Sequence, residues 1–443
     1  MKVVRGWRAV LLATTLASFL TPFTSSSIAI ALPLMASEFE ISLASVNWVV
    51  NAFLIPLAST VLVFGRISDW LGRSRVFKLG LVLFTISSLA VFTARGFTDL
   101  MVYRFIQGLA AAMITSTAIA VLGEVAPRER RGLAIGLNTM AVYLGLSTGP
   151  LLGGYLTSCC GWRSLFAFKT LVSLLALLVA LKTVESSRTV SPRPSIPVLV
   201  FTATSISMII YGASNLNSLI GLVVALTGCI SLSTVLLVER WSSRILHSKL
   251  FNTRIIAAVV ATLLNYSATY ALTVLLSNYL QKLRGLPPSE TGLILSIQPV
   301  VQVLLSPIAG FLGDHYNPSI IASTGMAVIT IGVYSLTLLT PEAPLTQLYP
   351  ALIILGAGFA FFASPNTTAV LNMSPREAYG SANALLATMR FLGQALSMSI
   401  ITTIMTIQED LALAVETSLV IYVFLCIVGT LLSLIPIVKK NSE

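Results

Sequence analysis

The sequence predicts an all-α polytopic membrane protein with fourteen spans. Three observations carry that prediction. Hydrophobic residues make up 56% of the 443, and the mean hydropathy of +0.91 exceeds what a soluble core of this size needs. Many uncharged apolar runs reach the roughly 20 residues that a helix needs to cross a bilayer. Lys and Arg are distributed unevenly between those runs.

Taken in order, the candidate spans are 9–36, 45–65, 76–95, 98–123, 132–157, 163–183, 197–213, 217–238, 255–280, 291–312, 319–340, 347–371, 380–405 and 417–438. The first follows Lys2, Arg5 and Arg8 and continues through Met35, so it reads as an uncleaved span rather than a secretory leader. The span 197–213 is the shortest. With the N-terminus placed inside, the inside segments carry 20 of the 27 Lys and Arg and the outside segments carry 4. The remaining three, Arg104, Lys169 and Arg390, fall within spans. That bias puts both termini in the cytoplasm. It also accounts for most of the formal net charge of +11 without a nucleic-acid partner.

The chain repeats itself. Pro127-Arg128-Glu129, followed by Gly132, returns as Pro375-Arg376-Glu377, followed by Gly380, at an offset of 248. Gly65-Arg66-Ile67-Ser68-Asp69 aligns loosely with Gly310-Phe311-Leu312-Gly313-Asp314, at an offset of 245. Two similar offsets imply two related six-span halves. The offset is too long for the halves to abut, and the excess matches the two spans at 197–238. The expected division is an N-terminal six-helix bundle at 1–183 and a C-terminal one at 255–443. Between them, 184–254 holds a proline-bearing linker, two inserted spans and a following loop.

Three stretches carry candidate chemistry. The first, Gly65-Arg66-Ile67-Ser68-Asp69-Trp70-Leu71-Gly72-Arg73-Ser74-Arg75, reads as a charged loop between two spans. Its glycines allow a tight turn, and Asp69 and Arg73, four apart, are placed to pair. In the second, Arg104 and Gln107 share adjacent faces of the fourth span. An arginine there costs roughly 2.5–3.5 kcal/mol on insertion scales, so it either faces a partner or cavity or reaches outward to the surface. In the third, Ala141, Gly145, Gly149 and Gly153 form one smooth helix face in the fifth span, with Gly154 beside it and Pro150 as the expected kink. The four cysteines, Cys159, Cys160, Cys229 and Cys426, lack metal-ligand spacing. No metal, cofactor or catalytic residue is expected.

Together these stretches resemble the major facilitator superfamily, and within it the fourteen-span drug:proton antiporters. Gly65–Arg66 through Arg73-Ser74-Arg75 resembles the family's loop between the second and third spans. Gly145-x-x-x-Gly149-Pro150-x-x-Gly153-Gly154 is similar to its antiporter motif, and Arg104-x-x-Gln107-Gly108 to its fourth-span motif. Ala31-Leu32-Pro33, Trp48, Phe53, Trp162-Arg163, Ser306-Pro307, Ser364-Pro365-Asn366-Thr367 and Met389-Arg390-x-x-Gly393 follow in the family's order. The resemblance implies a major facilitator fold: two six-helix bundles plus two inserted linker helices, fourteen spans in all, with a substrate site between the halves near the midplane. It further implies a monomeric multidrug-efflux antiporter of the cytoplasmic membrane. Such a protein moves small amphipathic molecules by alternating access, in exchange for protons.

The resemblance also assigns roles. Gly65, Arg66, Asp69, Gly72, Arg73 and Arg128 form the expected cytoplasmic gate, with Asp69 reaching Arg73 and either Arg128 or Arg130. Gly145, Gly149, Pro150, Gly153 and Gly154 form the hinge. From the residues themselves, by embedded charge and polar placement, Arg104, Gln107, Lys169, Gln298, Gln302, Asn366 and Arg390 are the substrate or coupling candidates. Two departures bear on mechanism. Thr24 stands where the family often has an acidic residue, and Lys169 where asparagine is usual. No Asp or Glu falls inside the fourteen predicted spans, and the embedded charges are all positive. That leaves open an exporter of anionic or neutral metabolites with weak or no proton coupling. A non-transporting sensor on the same fold is the other alternative, although eight residues before the first span and five after the last leave it no soluble extension. An intramembrane enzyme would need a base or metal ligand at membrane depth, and none is expected.

Overall fold

The structure is a computed structural model that describes residues 3–127, 130–185, 194–242, 248–338, 344–375 and 378–438. Among them, fourteen helices are long and apolar enough to cross a membrane. They are α1 (Gly6–Glu38), α2 (Leu43–Leu71), α3 (Arg73–Phe92), α4 (Phe97–Val125), α5 (Arg131–Cys160), α6 (Arg163–Thr183) and α7 (Ile196–Ala213). After these come α8 (Leu219–Leu237), α9 (Thr253–Leu283), α10 (Pro288–His315), α11 (Pro318–Leu336), α12 (Leu345–Met373), α13 (Tyr379–Ile407) and α14 (Leu411–Ile437). There are no strands among the described residues. Helices that satisfy their own backbone polar groups are what a hydrocarbon environment permits.

Local sequence sets several helix ends. Asn252 accepts from Arg254 N at 2.9 Å to start α9, and Asn317 accepts from Ser319 N at 3.0 Å with Pro318 in the first turn of α11. The helices extend beyond the predicted spans, and this changes two sequence readings. The stretch 65–75 is not a loop: α2 continues to Leu71, and α3 begins at Arg73. Acidic side chains also enter the helices, with Asp69 in the last turn of α2, Glu124 in the last turn of α4 and an exposed Glu416 near the start of α14. Pro150 lies inside α5, which runs as one helix from Arg131 to Cys160.

The chain divides into two compact units, Met1–Ala203 with Pro287–Gly292, and Thr204–Leu286 with Leu293–Glu443. In the first unit α1 lies against α5, α6 and α4, while α4 also packs on α2 and α3. In the second, α9 packs on α13 and α14, and α11 packs on α12 and α14.

From Thr204 onward the two inserted helices pair with each other within the second unit. Ser205 Oγ on α7 and Ser231 Oγ on α8 lie 2.6 Å apart. The α7 end is tied to α13: Ser214 Oγ and Ser399 Oγ are 2.7 Å apart, and Thr403 Oγ1 donates to Ala213 O at 3.0 Å. By contrast α8 turns Leu219, Ile220, Val223, Leu226 and Ile230 outward. Those side chains suit contact with lipid tails. Single cysteines placed along 219–237 in a background with Cys159, Cys160 and Cys229 replaced by serine should therefore resist a membrane-impermeant maleimide, with no protection by a transported compound. A labelled helical face that a transported compound protects would place α8 on a water-filled path instead.

Candidate transport site and gate

A buried polar relay in the first unit is built around Arg104. Its side chain has no exposed surface, although it carries a permanent charge. Nε donates to Val49 O at 3.0 Å and Nη1 to Gln107 Oε1 at 2.5 Å. Gln107 Nε2 in turn donates to Ser88 Oγ at 2.7 Å. One relay therefore joins α2, α4 and α3. The guanidinium lies 4.4 Å from the Phe53 ring centroid and 6.0 Å from that of Phe166, in range for attraction to a ring face. Arg104 therefore meets its partners inside and does not reach outward.

Lys169 on α6 is also without exposed surface. Its Nζ sits 4.3 Å from the Phe166 ring centroid and 6.0 Å from that of Phe23, with no hydrogen-bond partner among the described residues. Arg104 approaches the same Phe166 ring. Thr24, adjacent to Phe23 on α1, is buried with its hydroxyl unpaired. The structure thus brings Arg104, Gln107 and Lys169 together within the first unit.

The remaining candidates belong to the second unit and have different surroundings. Asn366 is buried, and its Nδ2 donates to Thr262 Oγ1 at 2.8 Å and Ala258 O at 3.2 Å, tying α12 to α9. Gln302 is buried while Gln298 is partly open. The Gln298 carbonyl lies against Gly356 of α12. Arg390 is partly buried, 5.6 Å from the Phe391 ring centroid.

At the opposite end of α2 lies the candidate gate. Gly72 has φ 102°, a conformation that costs a residue with a Cβ about 1–2 kcal/mol. This single residue separates α2 from α3 and lets Asp69 and Arg73 face each other across the break. Arg73 Nε and Nη2 donate to Asp69 Oδ1 at 2.9 and 2.8 Å, and Nη1 donates to Glu124 Oε1 at 3.1 Å. Glu124 is the partner that sequence reasoning missed, because it lies 51 residues from Arg73 with no motif to mark it. Gly65 and Arg66 sit one turn before Asp69, and Arg128 lies outside the described residues.

The glycine face of α5 seats α1. A Cβ at Gly149 would overlap Ser26, one at Gly145 would run into Phe19 O, and one at Gly153 would crowd Ser27. Gly154 meets Pro288 and Gly292 in the first turn of α10, which belongs to the same unit. Ser26 Oγ lies 3.4 Å from Gly145 O, a contact open only where backbones approach this closely. Another unforeseen cluster fixes the far end of α1: Glu38 accepts from Trp162 Nε1 and Arg163 Nη1, each at 2.6 Å.

Known proteins give a consistent picture. A family model described as Major Facilitator Superfamily matches residues 14–264 and 258–443. Riboflavin transporter RibZ of Clostridioides difficile (strain 630) is 28% identical over 391 residues, 87% of this chain and 86% of the relative. Uncharacterized transporter YebQ of Escherichia coli (strain K12) is 30% identical over 380 residues, 83% and 82% of the two chains. The tetracenomycin C resistance and export protein of Streptomyces glaucescens is 24% identical, covering 90% of this chain and 76% of the relative. Among solved structures, the POT family transporter PepTSo superposes with a TM-score of 0.72 at 13% identity, covering 97% of both chains, which is a likeness of fold.

Two outcomes follow from this geometry. Asp69→Asn leaves folding intact, since partly exposed ion pairs contribute only ~0.2–1 kcal/mol each, yet it should strongly slow transport. Wild-type transport by that variant would remove the gate assignment. Gly149→Val should lower the melting temperature in detergent sharply, because overpacking costs about 1–3 kcal/mol or more. Gly136→Val on the same helix, where a Cβ meets nothing within 4 Å, should change it little.

Proposed function

Because the chain belongs to the Major Facilitator Superfamily, we propose that it exports small amphipathic compounds across the cytoplasmic membrane by alternating access. That the protein is a multi-pass membrane transporter, and not an enzyme, follows from the family itself. Export is the reading favoured by relatives named for multidrug resistance and tetracenomycin C export. We assign the gate to Asp69, Arg73 and Glu124, with Gly72 as its pivot. The hinge is the α1–α5 contact at Gly145, Gly149, Pro150, Gly153 and Gly154. Arg104, Gln107 and Lys169 are the substrate or coupling residues in the N-terminal bundle, and Gln298, Gln302, Asn366 and Arg390 in the C-terminal one. The two six-helix bundles, 1–183 and 255–443, act as the moving bodies, and the monomer is the working unit.

The observation that carries this reading is the shared Arg73 clamp. Its three side chains remain 29–33% exposed, so each contact is worth only ~0.2–1 kcal/mol. A shift of about 1.4 kcal/mol changes a two-state ratio tenfold. Two such contacts are therefore strong enough to bias a conformational equilibrium and weak enough to release. A rigid structural tie would be buried.

A second reading has its own observation. Arg104 and Lys169 are buried together with no acidic partner described, which favours anionic or neutral substrates over permanent cations. Proteoliposome counterflow of a panel of matched anionic, neutral and quaternary-ammonium compounds, with and without a pH gradient, separates the readings. Acceleration by an inward-directed proton gradient is the expected sign of antiport. Absence of counterflow for every compound would remove the proposed export of small amphipathic compounds.

A further inference from the structure

Two fully buried basic side chains share one aromatic ring. Arg104 approaches the Phe166 centroid at 6.0 Å and Lys169 at 4.3 Å. Phe53 and Phe23 extend the wall, at 4.4 Å from the guanidinium and 6.0 Å from the ammonium nitrogen. Their situations differ in one respect. Arg104 donates to Val49 O and Gln107 Oε1, whereas Lys169 Nζ has no hydrogen-bond partner among the described residues. Arg104 is the charged side chain that shares the Phe166 ring with Lys169. Among the described residues the neighbouring helices bring no counter-charge to it, and α5 contains no Asp or Glu. From α1 it meets Phe23, and the carboxylate of that helix, Glu38, is engaged by Trp162 and Arg163. Helix α3 meets α6 one turn away through uncharged Thr85 and Ser173. On α4 the nearest carboxylate, Asp99, accepts from Gly96 N at the helix start.

We propose that Lys169, beside Arg104 and walled by Phe23, Phe53 and Phe166, binds the anionic group of an aromatic substrate, and that Lys169 takes up a proton as the anion arrives. The inference rests on the transporter reading and names the substrate class for its first unit. Its logic is charge balance. An ammonium at Lys169 with Arg104 as its charged neighbour is two like charges in a medium that screens them poorly. An incoming carboxylate or sulfonate supplies the missing opposite charge and the missing acceptor for Nζ. Arg104 cannot supply the proton exchange, because a guanidinium stays charged in proteins. The three phenyl rings add apolar and edge contacts for a flat ring system carrying that anion. Coupling of this kind has the opposite sense to that of a buried carboxylate, which releases its proton as a cation binds.

The test uses the full-length protein in nanodiscs and three probes on one scaffold: 2-naphthoate, 2-naphthamide and trimethyl(2-naphthyl)ammonium. Calorimetric titration of the wild type is expected to show naphthoate binding at least tenfold more tightly than naphthamide, and the ammonium compound not at all. Heats measured in buffers of different ionisation enthalpy should show net proton uptake with naphthoate. Lys169→Met should lose both the anion preference and the proton uptake. Lys169→Arg, which keeps the charge permanently, should retain the preference and lose the uptake. Wild type that fails to bind naphthoate, or binds it no better than the amide, overturns the proposal. So does a preference that survives in Lys169→Met, or proton uptake that survives in Lys169→Arg. If Lys169→Met does not insert, the Lys169→Arg comparison carries the test alone. Counterflow of neutral or cationic compounds without naphthoate preference would sink this site and leave the exporter standing. Naphthoate binding without counterflow would do the reverse.

Discussion

A guanidinium with no surface exposed has to find its partners inside the protein, and the first unit is arranged to provide them. Arg104 sits on α4, but the carbonyl it needs belongs to Val49 on α2, and Gln107 passes the relay to Ser88 on α3. Removing any member leaves a buried donor or acceptor unmet, at a cost of about 1–3 kcal/mol, more where the group is charged. The relay therefore fixes the rotation of three helices about their own axes. Apolar side chains cannot do this in a bilayer, where lipid tails match them in polarity and give no preference for one face over another. Phe53 and Phe166 close over the same group, so packing and electrostatics select one arrangement.

The neighbouring contact, α1 on α5, solves the opposite problem. Gly145, Gly149 and Gly153 present backbone rather than side chains, and α1 answers with Ser26, Ser27 and the Phe19 carbonyl. At these three positions α5 has no side chain to interlock with α1. A small rotation or slide of α1 there displaces fewer side chains than a shift at the Arg104 relay, although it strains the Ser18–Asn138 bond. One half-bundle thus contains a stiff joint and a smooth one.

Much of the fold was legible in the sequence because lipid imposes a single rule: long apolar helices, with basic residues between them. The fourteen helices follow from that rule and from the repeat offset. Helix ends were less legible. Periodicity is lost at charged residues, so Asp69 and Arg73 read as loop, although both are helical and only Gly72 interrupts. Local motifs also exposed Arg104, Gln107 and the glycine face, since each is unusual where it stands. The partners at long range were not legible. Glu124 for Arg73, Glu38 for Arg163, and Phe23 for Lys169 lie 51, 125 and 146 residues away, and nothing in an isolated Glu or Phe announces its companion. Asn366 illustrates a further limit. As a residue type it suits a cavity wall, and the structure shows its nitrogen committed to Thr262 and Ala258.

The two arginine-centred ties in this unit also differ in what the surrounding water can do to them. Arg73, Asp69 and Glu124 are each about one-third exposed, whereas Arg104 is sealed. Dissolved ions screen the first over a distance of ~8 Å at physiological ionic strength and shorter distances as salt rises. They leave the second untouched. A rise in intracellular potassium, as in a cell responding to osmotic stress, would loosen a clamp facing that compartment and leave the helix rotations in place. The transporter would then have a resting conformational bias that follows the ionic strength around that clamp.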